Sequence, residues 1–213
     1  MIDKIVKLLK KKYLDKQKLA SQLEDPYKVL ISCLLSLRTK DEVTFKATDR
    51  LFLLAKTPKQ MSMLNTKKIE KAIYPVGFYK TKARRIKDIS KSLFENYNSN
   101  VPDDFDELLK FKGVGRKTAN IVITYGFGKP GIAVDTHVHR ISNRLVLVKT
   151  TNPHETEFAL KKILPQTHWI VYNELLVRHG QTVCKPIGPR CFLCTINDYC
   201  KKVGVDRRYY EKF

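Results

Sequence analysis

Four cysteines in the C-terminal part of the chain form its clearest group of reactive side chains. Their pattern is C-x6-C-x2-C-x5-C, and its members are Cys184, Cys191, Cys194 and Cys200. Nothing in the sequence indicates secretion, and reducing compartments keep thiols free, so disulfide bonds are disfavoured. Four thiolates suit a structural zinc ion or an iron–sulfur cluster. Zinc sites commonly pair two short C-x2–4-C units, whereas this chain has one, so the spacing favours iron and leaves zinc as the alternative.

A glycine turn in the stretch FKGVGRKTANIV, residues 111–122, suggests an anion site. Gly113 and Gly115 precede a predicted helix whose first turn carries Arg116 and Lys117. The positive end of a helix normally favours acidic side chains, so two cations there indicate something negative nearby. The glycines allow close approach of a ligand to the backbone, and the helix points free N–H groups at it. Alone the turn is weak evidence, because most such turns only join helices.

Helical periodicity and capping signals dominate the rest of the chain, and strand signals are nearly absent. Helix starts are predicted at Thr57-Pro58, at Asn152-Pro153, and at Asp103 or Asp104. Helix ends are predicted at Gly77, at residues 126–131 and at Gly180. The run RLVLV, residues 144–148, is predicted to continue a helix that begins near Val138. The sequence therefore predicts an all-α protein.

Two apolar segments are predicted to pack inside the protein. The run VLISCLLSL, residues 29–37, is too short for a bilayer, which needs ~20 residues, and it reads as a buried helix containing Cys33. Residues 2–13 have an apolar helical face that we expect to dock on the core. The N-terminal sequence lacks the apolar core and cleavage site of a signal peptide, so we expect an intracellular, cytoplasmic protein.

The chain is strongly basic. Among 213 residues, 41 are Lys or Arg and 21 are Asp or Glu, which gives a formal net charge of +20. Such a charge favours an anionic polymer as partner. A lysine-rich proteome would produce the same total, so the charge supports nucleic-acid binding only where it clusters near a motif, as it does in residues 80–87 behind Gly77.

Three separated motifs together resemble one known family. GVGRKTANIV, then IAVDTHVHR, then the four-cysteine pattern are similar to the endonuclease III family of base-excision DNA glycosylases, in the helix-hairpin-helix superfamily. The match extends from about residue 30 to Cys200. The resemblance implies two helical lobes with a DNA-binding cleft between them. One is a six-helix barrel with the hairpin, residues 19–129, and the other is a 4Fe–4S lobe formed by residues 1–18 and 130–213.

The resemblance also implies a mechanism on oxidised pyrimidines in duplex DNA. Lys117 would attack the sugar C1′ of a flipped nucleotide, and Asp135 would be its acidic partner. The amine must be neutral, and we expect the helix end, Arg116 and partial burial to lower the pKa of Lys117. Asp135 has a simpler alternative role as the N-cap of a helix starting at Thr136.

Further DNA contacts follow from the family positions. Arg38 and Phe78 are the candidates for probing and wedging the duplex, although Phe78 could instead be a core aromatic at a helix end. Arg38 departs from the glutamine of bacterial members. Lys112 stands where proline is frequent and is expected to add a phosphate contact, while His137 is expected to shape the cleft.

Three readings of the function remain. The first is a bifunctional glycosylase and AP lyase that acts as a monomer on duplex DNA containing damaged bases or abasic sites, near the nucleoid. The second is a mismatch or adenine glycosylase of the same superfamily, against which Lys117 argues. The third is a non-catalytic helix-hairpin-helix module with a metal site, in which Lys117 and Asp135 contact phosphate and cap a helix.

Overall fold

The computed structural model describes residues 1–14 and 24–210, which form α-helices joined by turns and by loops that contain short 3₁₀ segments. These helices are α1 Ile2–Tyr13, α2 Pro26–Ser36, α3 Asp41–Leu54, α4 Pro58–Met63, α5 Thr66–Ile73, α6 Tyr79–Asn96, α7 Phe105–Leu109, α8 Arg116–Ile121, α9 Thr136–Arg144, α10 Pro153–Ile163 and α11 Trp169–Thr182. A π-helical turn, Val122–Gly126, follows α8 directly. No strand occurs in the described parts of the chain, and the all-α prediction is confirmed. None of their helices has the length and apolar composition needed to span a membrane.

The described residues divide into two compact units. Residues 24–129 form one unit, and residues 1–14 together with 130–210 form the other. The predicted domain boundary between residues 18 and 19 lies outside the described residues. The assignment of residues 19–129 and of 1–18 with 130–213 as domains stays a prediction.

Helix α2 supplies much of the core of the first unit. Pro26 occupies its first turn, and the Asp25 side chain accepts a hydrogen bond from the Tyr27 N–H, which fixes its start. The helix packs against α3, α6 and α8. The Tyr27 hydroxyl lies 2.7 Å from Ser90 Oγ, so this buried polar group is satisfied. The prediction of a buried helix here is confirmed.

Helix α1 packs on α11, as its amphipathic pattern predicts. Ile5, Val6 and Leu9 are buried in the core of the second unit. Arg178 in α11 donates to the carbonyl of Tyr13 at 2.7 Å, which anchors the C-terminal end of α1. The two helices are far apart in sequence, so this contact can form only after α11 has been made.

The predicted capping residues occupy the expected places. Thr57 and Asn152 each accept a backbone hydrogen bond at the start of a helix with proline in its first turn. Of the two candidates near residue 105, Asp104 caps α7, while Asp103 pairs with Lys129 at 2.6 Å. Local hydrogen-bonding chemistry fixed these starts.

Two predicted helix boundaries were wrong. Helix α9 does not continue through residues 144–148, because Val146 adopts a left-handed φ of +57° and the Leu147 N–H bonds back to the Ser142 carbonyl at 3.0 Å. This is the geometry of a Schellman helix end, with valine in place of glycine. Gly180 does not end α11, which runs to Thr182. A Cβ at Gly180 would collide with the His137 ring, so this glycine permits close packing rather than a helix end.

Candidate active site

The predicted hairpin is formed by α7, a glycine turn and α8. Gly113 has a φ of +96°, which side chains rarely adopt. A Cβ at Gly113 would lie 3.1 Å from Arg85 Cδ, so the Arg85 side chain covers one side of the turn. Gly115 is the N-cap of α8, and no described atom beyond its chain neighbours lies within 4 Å of a Cβ built there. Lys112 is exposed beside this open backbone, which a phosphate can approach.

The two cations at the start of α8 have different surroundings. The Arg116 guanidinium lies 4.7 Å from the centroid of the Phe105 ring, a cation–π contact that stabilises its charge. Lys117 is exposed. Helix α8 turns residues 118–120 into the core and leaves Lys117 at the surface, and the expected partial burial of Lys117 in a cleft stays a prediction.

Asp135 is the N-cap of α9. Its Oδ1 accepts hydrogen bonds from the N–H groups of His137 and Val138, both at 2.9 Å. The predicted capping role is confirmed, and it holds the carboxylate in a fixed orientation. The half-buried His137 packs over Gly180, with its Nδ1 3.1 Å from Arg140 Nη2. His137 thus contributes to packing between α9 and α11.

The two proposed wedge residues lie side by side. The Arg38 guanidinium carbon is 5.7 Å from the centroid of the Phe78 ring. Both are exposed and both have left-handed backbones, with φ of 54° at Arg38 and 58° at Phe78. Phe78 is 63% exposed, so the alternative of a core aromatic is excluded.

Lys82, which lies in the basic cluster of residues 80–87, has an environment that the sequence did not predict. Lys82 is only 5% exposed. Its ammonium donates to the carbonyls of Leu35 at 2.8 Å and Leu37 at 2.5 Å, and to Thr39 Oγ1 at 3.2 Å. Burial lowers the pKa of Lys82 to about 8. A helical spacing signal was present, because Lys82 shares the buried face of α6 with Ile86, Ile89 and Leu93.

The four predicted metal ligands line a single cavity in the second unit. Arg144 and His179 also line it, together with apolar residues. Burial raises the pKa of Cys194 to about 11, and it also raises the pKa of Cys191 and Cys200, with the neighbouring thiols adding to the effect. Four clustered thiols in an apolar cavity require a cation to become thiolates together.

Three of the four cysteine sulfurs each have a nitrogen group within hydrogen-bonding distance. Arg144 Nη1 donates to Cys184 Sγ at 3.3 Å, and the backbone N–H of Lys202 donates to Cys200 Sγ at 3.3 Å. His179 Nε2 lies 3.4 Å from Cys194 Sγ. These roles of His179 and Arg144 were not predicted from the sequence. Their contacts depend on packing between distant segments, although the basic character of Arg144 on a predicted apolar run was a signal.

No group of three or more Cys, His, Asp or Glu side chains in the described ranges is placed to hold a single metal ion. This agrees with cysteines that surround a cavity instead of converging on one point. His139, two residues after His137, contacts Thr156 Oγ1 at 2.7 Å, which is a structural hydrogen bond.

The structure thus brings together some of the predicted site residues. Arg38 lies against Phe78, the two glycines and Lys112 share the hairpin, and the four cysteines share a cavity. Lys117 belongs to the unit of residues 24–129, whereas Asp135 belongs to the other unit.

Comparison with known proteins shows which family the chain belongs to. Residues 31–166 match the HhH-GPD superfamily base excision DNA repair protein family. Endonuclease III of Thermotoga maritima is 50% identical over 177 residues, which cover 83% of each chain. Endonuclease III homolog 2, chloroplastic, of Arabidopsis thaliana is 42% identical over 83% of this chain, which spans 48% of the plant protein. The solved structure of a trapped endonuclease III–DNA covalent intermediate has a TM-score of 0.84 at 35% identity and covers 94% of both chains.

Proposed function

This chain belongs to the HhH-GPD superfamily and, within it, to the endonuclease III family; it is a DNA glycosylase and AP lyase of base excision repair, and we propose that Lys117 is its nucleophile. The observation that carries this assignment is the exposed position of Lys117 in the first turn after a glycine hairpin. An amine there is accessible to a sugar whose flanking phosphates are held by the hairpin backbone. The substrate class that we propose is duplex DNA with an oxidised pyrimidine or an abasic site.

The reaction follows from the chemistry of an amine. The Lys117 lone pair forms a bond to C1′ of the extruded nucleotide while the bond from C1′ to the base breaks, and the base leaves with a proton. Opening of the sugar ring gives a Schiff base between the lysine and C1′. A proton is then lost from C2′ and the C3′–O bond breaks, which cuts the strand. Water releases the lysine from the sugar fragment.

Asp135 is assigned to the charge that develops on the sugar. Departure of the base leaves positive character at C1′ and the ring oxygen, which a carboxylate stabilises. The two backbone N–H groups that bind Oδ1 hold this carboxylate in place before the reaction, so little reorganisation is required. Capping and catalysis are therefore compatible uses of the same side chain.

The remaining DNA contacts are assigned by position. Gly113 and Gly115 give a phosphate access to the backbone, and Lys112 adds a positive charge beside it. Arg38 and Phe78 are proposed to fill the space left by the extruded nucleotide, because an exposed aromatic ring and a guanidinium can both stack on bases. The solved complex of an endonuclease III with DNA supports duplex DNA as the partner.

The four cysteines are proposed to hold a 4Fe–4S cluster. Their sulfurs surround a cavity, two of them accept hydrogen bonds from N–H groups, and a third lies against His179 Nε2. Hydrogen bonds to the sulfurs stabilise cluster thiolates. With four protein ligands the cluster would supply a cross-link for residues 184–200 and leave no open coordination position. Iron and sulfide analysis of the purified protein tests this, and a colourless protein with stoichiometric zinc would contradict it.

Trapping with borohydride tests the nucleophile. Borohydride reduces a Schiff base to a stable amine, so the protein should become linked to a duplex containing an abasic site. Lys117→Gln should abolish the adduct. Lys112→Gln is the matched control, because it removes the same charge from the same hairpin and should weaken DNA binding while the adduct still forms at saturating protein.

Each outcome of the trapping experiment has a separate meaning. An adduct that persists in Lys117→Gln would show that another amine is the nucleophile. The absence of an adduct with any lesion would favour the non-catalytic binding module. Glycosylase activity without trapping would favour a monofunctional mismatch glycosylase.

We further propose a cytoplasmic location at the nucleoid and a monomeric state.

A further inference from the structure

The turns that carry Arg38 and Phe78 come from different parts of the chain and are joined by hydrogen bonds. One turn follows α2, and the other precedes α6. The Gly77 N–H donates to Thr39 Oγ1 at 3.1 Å. A Cβ at Gly77 would lie 2.7 Å from the Arg38 carbonyl oxygen, so the two backbones are in close contact.

Both residues hold a backbone conformation that is unfavourable for their type. Arg38 and Phe78 are not glycines, yet each has a left-handed φ. Such residues persist only where the surrounding structure imposes the conformation, and they concentrate at functional sites. Exposed side chains contribute little packing energy. The constraint must therefore come from the backbone contacts beneath them.

The Lys82 ammonium is the centre of those contacts. An ammonium has three donor hydrogens. The three acceptors within reach are the carbonyls of Leu35 and Leu37 and the hydroxyl of Thr39, so all three hydrogens can be used. These acceptors follow one another at and just beyond the end of α2, on both sides of Arg38. Lys82 itself stands on the first turn of α6, and its N–H donates to the Phe78 carbonyl at 3.0 Å.

We propose that Lys82 is a positioning residue that fixes the Arg38 turn against the Phe78 turn, so that both side chains are preorganised to enter the duplex when a nucleotide is extruded. Lys82 touches neither substrate nor reacting atoms. It satisfies carbonyls that a helix end would otherwise leave to water, and it thereby ties the end of α2 to the start of α6. This inference rests on the proposed function.

Among the described residues, the acceptors of the buried Lys82 ammonium are two carbonyls and a hydroxyl, with no carboxylate. None of the acceptors of the Lys82 ammonium carries a formal charge, and burial alone accounts for the lowered pKa. Near neutral pH the amine is still mainly protonated, so it keeps its full set of donors. An apolar residue of similar length would avoid the desolvation cost but could not bind the three oxygens. The hydrogen bonds that the Lys82 ammonium makes to the Arg38 turn thus explain why a charged group is buried here.

Lys82→Met tests the proposal in the cluster-containing enzyme. The single-turnover rate of base release from a duplex with an oxidised pyrimidine should fall about 10- to 100-fold, as expected when reacting groups are displaced by about 1 Å. Affinity for undamaged duplex should stay within about threefold, because no phosphate contact is removed. Lys91→Met is the control. Lys91 lies on the same helix, is exposed and pairs with Glu95 at 3.8 Å on the surface, so its loss should have no effect.

A double-mutant cycle separates positioning from general stability. If Lys82 acts through the two wedge residues, Lys82→Met should add little in a background that already carries Arg38→Ala and Phe78→Ala. A residue with a purely structural role would lower the rate equally in both backgrounds, which would overturn the proposal. A rate within twofold of the wild type in folded Lys82→Met would also overturn it.

A milder variant covers the case in which Lys82→Met does not fold. Thr39→Val removes the hydroxyl that joins Lys82 and Gly77 while leaving the two carbonyl bonds, and it should lower the rate about threefold to tenfold. An unchanged rate in folded Thr39→Val would then count against the proposal.

Amide hydrogen exchange gives a readout that does not depend on activity. Residues 36–39 and 76–79 should exchange faster in Lys82→Met, or in Thr39→Val, and unchanged protection would overturn the proposal. Failure of the proposed function itself is distinguishable, because the wild type would then give no borohydride adduct on an abasic duplex. In that event hydrogen exchange still decides whether Lys82 fixes the two turns.

Discussion

At the scale of single residues, Asp135 illustrates how one carboxylate can serve two purposes. Its Oδ1 closes the start of α9, and the proposed mechanism uses the negative charge of the same group. The N-cap was predictable because Asp-Thr before an apolar helix is a local signal. The catalytic role was suggested only by the family motif, since no local pattern distinguishes a capping carboxylate from a reactive one.

Asp135→Asn should separate the two roles. Asparagine caps helices about as well as aspartate, so the free energy of unfolding should change by less than about 0.5 kcal/mol. The negative charge is lost, and the single-turnover rate should fall at least about 100-fold, in line with the loss of one electrostatic stabiliser. Denaturant unfolding and base-release kinetics on the same preparation measure both. A stable variant with full activity would refute the catalytic assignment.

The burial of Lys82 and the exposure of Lys117 could not be predicted from the residues next to them in sequence. Both lie among basic residues in the sequence, and both were expected to be near DNA. The structure buries Lys82 and leaves Lys117 exposed at the surface, so their environments differ sharply. The environment of Lys82 depends on a turn more than 40 residues away along the chain, as its bond to Leu35 spans 47 positions. No local window contains that information.

At the scale of elements, the hairpin depends on two glycines for different reasons. Gly113 is needed for its backbone conformation, because its φ is +96°. Gly115 has a φ of −103°, which any residue can adopt, and open space around it. The absence of a side chain at Gly115 therefore matters because it lets a ligand approach the backbone closely. Sequence analysis located both glycines but could not assign these separate roles.

The two glycines should respond differently to alanine. Gly113→Ala should lower the free energy of unfolding by about 1–3 kcal/mol, because a side chain there is strained. Gly115→Ala should cost less than about 1 kcal/mol in stability. It should nevertheless weaken DNA binding about tenfold, equivalent to ~1.4 kcal/mol, because its methyl group stands where a phosphate approaches. Equal stability losses without a separate binding defect in Gly115→Ala would contradict this division.

Helix boundaries show the same limit of prediction. The starts capped by Thr57, Asp104 and Asn152 were predictable because side chain and acceptor are neighbours in sequence. Gly180 was mistaken for a helix end because glycine is needed there for packing against the His137 ring, which lies on another helix. Val146 was mistaken for a helical residue because valine rarely adopts a left-handed backbone.

At the scale of the whole molecule, the net charge of +20 sets the long-range attraction to DNA. The number of phosphates that the protein contacts directly is a separate quantity, and it is measured by the salt dependence of the affinity for DNA. The logarithm of the affinity should fall linearly with the logarithm of the salt concentration, with about 0.9 in slope for each phosphate neutralised. A flat dependence would mean that the basic composition is incidental to DNA binding.

Lys112→Gln should reduce that slope by about 0.9, since one phosphate contact is lost. Lys91→Gln is the control, because Lys91 pairs with Glu95 on the surface of α6 and is assigned no DNA contact. Binding isotherms of both variants at four or more salt concentrations decide the matter. An equal change of slope in the two variants would show that general charge, and not the hairpin, is responsible.

The pairing of α1 with α11 has a consequence for synthesis on the ribosome. Tyr13 and His179, which lie 2.9 Å apart through the hydroxyl and Nδ1, are separated by 166 positions. At about 5–20 residues per second, translation needs roughly ten to thirty seconds to pass from one to the other. During that time Ile5, Val6 and Leu9 lack the α11 surface on which they pack, while residues 24–129 form an uninterrupted stretch that can already collapse. Helix α1 therefore leaves the exit tunnel well before α11, yet it reaches its packed position only after α11 has been made.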